Sequence, residues 1–160
     1  MILTERQLRA AGETIGRRVS PPVFFSLRGE LGAGKSVFAR AVARGAGVES
    51  TLPSPTFNLR FDYPIPGGGR VVHMDLYRLR DPEEVWELGW EDLGSPGEIT
   101  LVEWPERAEG HLPTDRWEVA LESVEGRPRH RRVRLTATGR PPPLPALAEL
   151  LEPFPGRDPS

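Results

Sequence analysis

The sequence predicts an α/β fold, a layered sandwich built around a mixed sheet. Three observations carry that prediction. The apolar run "VFFSL" at 23–27 is followed by a glycine-rich stretch and then by a helical pattern. Two later apolar runs, "VVHMD" and "ITLVE", each end in an acid. Two long alternating segments, "RWEVALESV" and "RRVRLTATG", joined by "EGRPRH", read as a late antiparallel hairpin.

The elements follow in chain order. "TERQ" at 4–7 has capping-box spacing, a hydroxyl followed three residues later by Gln. Leu8, Ala11, Ile15 and Val19 continue at helical spacing, so a helix is expected up to about Arg18. "SPP" breaks it, and "VFFSL" is a buried strand. "SVFARAVARGAG" is a second helix, closed by Gly45 or Gly47. After "LPSPT", "FNLRFDY" alternates as a strand, "IPGGGR" turns, and "VVHMDLY" (71–77) is the next strand. "DPEEVWELG" predicts a short helix: Asp81 caps it, Pro82 opens it, acids fill the first turn and Gly89 stops it. "ITLVEW" (99–104) is a strand again.

Composition narrows the function. A chain of 160 residues, 38% hydrophobic and 28% charged, fits one globular domain. A formal net charge of −2 gives no support to bulk attraction to DNA, RNA or an anionic membrane. There is no cysteine, which excludes disulfides and thiolate metal sites. No apolar run approaches a membrane span and the N-terminal stretch does not read as a signal peptide, so a cytoplasmic protein is expected. Seven of the 18 prolines fall in 141–160. That distribution divides the chain into a domain at 1–140 and a proline-rich tail at 141–160. The tail is expected to hold one short helix through "ALAELLE" and otherwise to be a mobile appendage.

The chemistry concentrates in "RGELGAGKSVF" (28–38). Of the 21 basic residues 20 are arginine, so Lys35 is the only lysine. Gly29, Gly34, Lys35 and Ser36 fit G-x-x-x-x-G-K-[ST], between a predicted strand and a predicted helix, the context that this phosphate-binding motif requires. Glycines let the backbone curl so that several N–H groups converge on phosphate oxygens, with the positive end of the helix behind them. A compact ammonium reaches the β and γ phosphates where a planar guanidinium does not fit. The Ser36 hydroxyl is offered to Mg²⁺. The expected fold is therefore a three-layer, P-loop NTPase-like sandwich. With no second lysine there is no N-K-x-D guanine reader, so the expected cofactors are ATP and Mg²⁺.

A bound Mg²⁺–nucleotide needs a carboxylate at a neighbouring strand end. Glu103 is expected at the metal, directly or through water, and Asp75 to orient the attacking water; the two roles can be exchanged. Thr56 in "PSPTF" is a candidate γ-phosphate sensor. Trp104, held between Glu103 and Pro105, is expected in extended backbone. His73 shares a strand face with Asp75 and reads first as a structural histidine. The basic stretch "RPRHRRVR" (127–134) reads first as a solvated strand face, with RNA or protein contact as the alternative. Residues alone leave a P-loop ATPase and a small-molecule or nucleoside kinase equally open, with a non-hydrolysing nucleotide sensor as a third class.

"GELGAGKSVF", "PSPTFNL", "HMDLYRL", "ELGWEDL" and "LVEWPE" occur in an order and spacing that resemble the TsaE (YjeE) family of small bacterial P-loop ATPases, over about residues 8–138. The resemblance implies a role in forming threonylcarbamoyladenosine next to the anticodon of tRNAs that read codons beginning with A. It implies an ATPase that works with TsaD and TsaB proteins, which form the transferase, and meets tRNA only through that complex. The nucleotide-binding residues it implies are Leu31, Gly32, Ala33, Gly34, Lys35, Ser36 and Trp104. Ser36 and Glu103 are implied at Mg²⁺, and Lys35, Thr56, Asp75 and Glu103 in catalysis. Ser36 stands where the family usually has Thr and Met74 where it has Phe; both changes keep the chemistry of the position.

Overall fold

The computed structural model describes residues 1–50 and 59–152. Seven strands form one sheet: β1 (Ile2–Thr4), β2 (Val23–Arg28), β3 (Arg60–Pro64), β4 (Arg70–Asp75), β5 (Glu98–Glu103), β6 (Arg116–Val124) and β7 (Arg127–Thr138). Their order across the sheet is β1-β7-β6-β2-β5-β4-β3. β4, β5, β2 and β6 run parallel, while β3, β7 and β1 pair antiparallel. Four strands thus present their carboxyl ends at one edge, the edge where open α/β sheets hold ligands. No helix among the described residues is long and apolar enough to cross a membrane.

Alternation of side chains assigns the layers. Val23, Phe25 and Leu27 of β2 face α1 (Glu5–Arg18) and α2 (Lys35–Gly45), in one apolar cluster with Leu8, Ile15, Phe38 and Val42. Phe24, Val72, Met74 and Val102 point the other way, into a second cluster with Val85 and Trp90. β2 is therefore covered on both faces, as a central parallel strand must be. The third layer is made of 3₁₀ turns: "DPEEVWELG" forms a seven-residue 3₁₀ helix, Pro82–Leu88, where an ordinary helix is expected from sequence. The predicted cap is present, with the Asp81 side chain accepting from the Glu83 N–H and Gly89 closing in left-handed conformation. Val85 and Leu88 lie three residues apart, so three residues per turn align their apolar side chains against the sheet.

α1 begins as expected, with the Thr4 hydroxyl accepting from the Gln7 N–H and the Gln7 side chain accepting from the Thr4 N–H. Glycines on both helices set its contact with α2. A Cβ on Gly16 would lie 1.9 Å from the Val42 carbonyl oxygen, and one on Gly45 would lie 2.0 Å from the Glu13 oxygen. Backbone thus meets backbone, which lets two helices share one narrow face of the sheet.

Four boundaries differ from expectation. β1 is an additional strand, paired with β7 at the sheet edge. β4 stops at Asp75 because its carboxylate accepts from the Tyr77 N–H at 2.9 Å and turns the chain. β7 starts at Arg127, not Arg131, because the hairpin turn is only Glu125–Gly126, with Gly126 at φ 72. The tail, over 141–152, packs onto the domain. Trp117 Nε1 donates to the Pro142 carbonyl at 2.8 Å, Arg18 pairs with Glu149 at 2.9 Å, and Leu150 of α3 (Leu147–Leu150) is buried in the α1 cluster.

Gly16→Ala is expected to destabilise the fold by about 1–3 kcal/mol, because the methyl group meets backbone that cannot rotate away. Urea unfolding reads this directly; an unchanged midpoint would mean that α1 and α2 separate freely.

Candidate functional site

The site begins where β2 ends. Gly32 (φ 78) and Gly34 (φ 105) take left-handed conformations that side chains resist, so the chain curls within a few residues. The loop's carbonyls are engaged: Gly29 O and Glu30 O accept from Lys35 Nζ, Glu30 O also from Ala33 N–H, and Gly34 O from Phe38 N–H. Gly34 caps α2 without a side-chain bond, so the N-terminal N–H groups of an 11-residue helix face the loop's hollow. Aligned N–H groups and the helix dipole together suit an anion.

Lys35 is only 4% exposed. Its Nζ lies 2.5 Å from Gly29 O, 2.8 Å from Glu30 O and 4.2 Å from the centre of the Trp104 ring. Burial pushes its pKa down, while Glu103, Asp75 and Glu106 pull the other way. The ammonium is thus held by neutral acceptors and an aromatic face, bonds that an incoming phosphate can replace.

The acids arrive by strand register. β4 and β5 run parallel with Asp75 opposite Glu103, so both carboxyl groups emerge at the edge beside the loop. Glu103 is 3% exposed and accepts from Ser36 Oγ at 2.9 and 3.0 Å. His73 Nε2 lies 2.7 Å from its Oε2 and holds it from behind. Asp75 has its pKa raised, chiefly by burial and further by the nearby Glu103 charge, against the Tyr77 N–H bond, His73 and Lys35. A second buried acid, Glu98, sits at the opposite end of β5. It is paired with Arg70, Gly94 N–H and Thr100 Oγ1, an arrangement that is structural.

A hollow of about 260 Å³ is lined by Leu31, Gly32, Gly34, Lys35, Ser36, Val37, Asp75, Glu103 and Trp104. Ser36 and the two carboxylates are hard oxygen donors, the type that Mg²⁺ selects. Among the described residues no three His, Cys, Asp or Glu side chains cluster to hold a metal alone. That donor set suits an ion that brings its own phosphate and water oxygens.

The family model described as "Threonylcarbamoyl adenosine biosynthesis protein TsaE" matches residues 2–133. The chain belongs to the TsaE family. The protein named tRNA threonylcarbamoyladenosine biosynthesis protein TsaE from Rickettsia bellii is 37% identical over 123 residues, spanning 76% of this chain and 84% of the relative. The protein of that name from Bacillus subtilis is 30% identical over 133 residues, spanning 83% and 81%. The crystal structure of Bacillus subtilis YdiB is similar with a TM-score of 0.65 at 24% identity, over 87% of this chain and 84% of that one, and bears on the fold alone.

Of the site residues expected for a TsaE protein, all but two line this one hollow. Ala33 turns its methyl group into the core, 3% exposed, and leaves only backbone at the loop. Thr56 lies outside the described residues, as does the rest of "PSPTF". The expectation of extended backbone at Trp104 is overturned. Its φ is 58 and ψ 51, the only positive φ outside glycine among the described residues. The chain must reverse directly after β5 to start the 3₁₀ turn Pro105–Ala108, and that reversal carries the indole over Lys35 and to 4.9 Å from the Tyr77 ring. Such a conformation costs about 1–3 kcal/mol, and strain of this kind collects at functional sites.

Sequence reasoning undervalued two residues. His73 supports Glu103, and the signal was available: it shares the parity of Asp75 on a strand whose neighbour ends in Glu103. Arg131, read as part of a solvated face, donates to the loop carbonyls of Gly32 and Ala33.

Asp75→Asn is expected to raise the thermal unfolding midpoint at neutral pH. A carboxyl whose folded pKa is raised contributes its stability below its unfolded pKa and loses it as pH rises through the folded value, whereas Asn carries no such loss. The gain should shrink as pH falls into the carboxylate range; a midpoint lower than wild type at every pH would show that Asp75 is held by favourable bonds instead.

Proposed function

We propose that the chain is a Mg²⁺-dependent ATPase that serves tRNA threonylcarbamoylation together with TsaD and TsaB proteins, without transferring the threonylcarbamoyl group itself. It meets tRNA through that complex, in the cytoplasm. The observation that carries this reading is the convergence of Lys35, Ser36, Asp75 and Glu103 on one hollow at the carboxyl edge of the sheet.

The geometry supports the following roles. The loop N–H groups and the start of α2 take the phosphates, and Lys35 exchanges its two carbonyls for β and γ oxygens. A second cavity of about 490 Å³ shares Gly32, Gly34 and Val37 with the phosphate hollow and offers the adjoining space to the nucleoside. Mg²⁺, held by Ser36 and Glu103, would neutralise charge on the phosphates. His73 fixes the Glu103 carboxylate, and Asp75 Oδ2, on a carboxyl that burial makes readier to hold a proton, orients the attacking water. Water then adds to the γ phosphorus, the bond to the β-phosphate oxygen breaks, and ADP and inorganic phosphate leave. Before nucleotide arrives, Lys35 and Ser36 are bonded within the protein. Those bonds must be exchanged, which fits slow turnover alone and faster turnover when partners stabilise the exchanged state.

Release of inorganic phosphate from Mg-ATP tests this, by the chain alone and with TsaD and TsaB. Release should be slow alone, rise with the partners, and fall by about 10²-fold or more in Lys35→Ala. No stimulation in a mixture proven competent for tRNA modification would sink the partner role, and label passing to a small acceptor would make the protein a kinase. Calorimetry should show no saturable Mg²⁺ binding without nucleotide; tight binding of the ion alone would contradict the two-ligand site.

A further inference from the structure

We propose that Arg131 is a positioning residue of the phosphate loop, clamping the Gly32 and Ala33 peptides so that the loop keeps its curl and the Gly34 N–H stays aimed into the hollow; this rests on the Mg-ATP reading above. Arg131 Nε donates to Ala33 O at 3.1 Å and its Nη2 to Gly32 O at 3.3 Å. A trans peptide is planar with its C=O and N–H opposed, so holding one oxygen sets the direction of the next N–H. Holding Gly32 O directs Ala33 N–H onto Glu30 O, 3.0 Å away, which closes the curl of the loop. Holding Ala33 O directs Gly34 N–H, the last before α2. Lys35 and Phe38 also engage loop carbonyls, but they belong to the strand-loop-helix unit itself, and Lys35 is released when phosphate binds. Arg131 reaches in from β7 and need not let go.

The guanidinium is itself aimed. β6 and β7 shift register between Ser123 and Val124, and Pro128, which cannot donate to a ladder, lies in the irregular stretch. The carbonyls of Pro128 and His130 both accept from Arg131 Nη1 at 2.8 Å. Four bonds from one planar fork, two to its own strand and two to the loop, make a brace that an ammonium cannot copy. The basic stretch 127–134 thus has one member turned inward, while Arg132 and Arg134 are exposed.

The test compares wild type, Arg131→Gln, Arg131→Lys and Arg134→Gln in Mg-ATP hydrolysis with the partners present, alongside thermal unfolding. KM for Mg-ATP should rise about tenfold in both Arg131 variants, a fraction of what two charge-assisted bonds to the loop are worth. Their unfolding midpoints should fall by only a few degrees, the cost of the lost bonds, rates at saturating Mg-ATP should change less than threefold, and Arg134→Gln should leave KM unchanged. An unaltered KM in Arg131→Gln overturns the proposal. So does full rescue by Arg131→Lys, which would make the effect one of charge. Wild-type chain that binds no Mg-ATP sinks the nucleotide reading, and this proposal with it.

Discussion

Everything at the site depends on how the peptides after β2 dispose of their polar groups. β2 is buried on both faces, and each buried carbonyl and N–H needs a partner. Between Gly29 and Gly34, five carbonyls find donors inside the protein, from Lys35, Ala33, Phe38 and Arg131. Spending the acceptors this way turns the donor side of the backbone toward the hollow. A loop whose only charged side chain, Glu30, is exposed thereby becomes attractive to an anion.

The opposing charges are arranged with equal economy. Two carboxyl groups side by side repel, and burial makes both more costly, as the raised pKa of Asp75 records. Glu103 is stabilised by Ser36 and His73, and the Lys35 ammonium lies close enough to offset both acids. The backbone strain at Trp104 belongs to the same pattern: the chain tolerates an unfavourable conformation to lay an aromatic ring over the ammonium. Stability is supplied elsewhere, by two apolar clusters on the two faces of the sheet.

The scaffold is thin for its task. α1 and α2 share one face through glycine contacts, and 3₁₀ turns replace a helical layer on the other. The segment from Asp81 to Glu106 carries no basic residue. With Trp86 within it and Tyr77 just before it about half exposed, the far layer differs in character from the arginine-rich β7 edge.

Much was legible in the sequence because local rules govern it. The Thr4 cap, the apolar parity of β2, β4 and β5, the Gly89 stop and the spacing of Gly29, Gly34, Lys35 and Ser36 each depend on near neighbours. The resemblance to the TsaE family rested on "GELGAGKSVF", "PSPTFNL", "HMDLYRL", "ELGWEDL" and "LVEWPE", which are local stretches too. What only the tertiary structure decided involves partners far apart in the chain. The Asp75–Glu103 register, the His73–Glu103 bond, the reversal at Trp104 and the tail packed on α1 each join segments with no shared periodicity. Arg131 shows the reason most clearly. In sequence it is one arginine of a basic run, and only a β-bulge 98 residues beyond Ala33 aims it at the loop carbonyls. Periodicity reports which face a side chain takes, whereas hydrogen bonding between distant strands determines what it meets there.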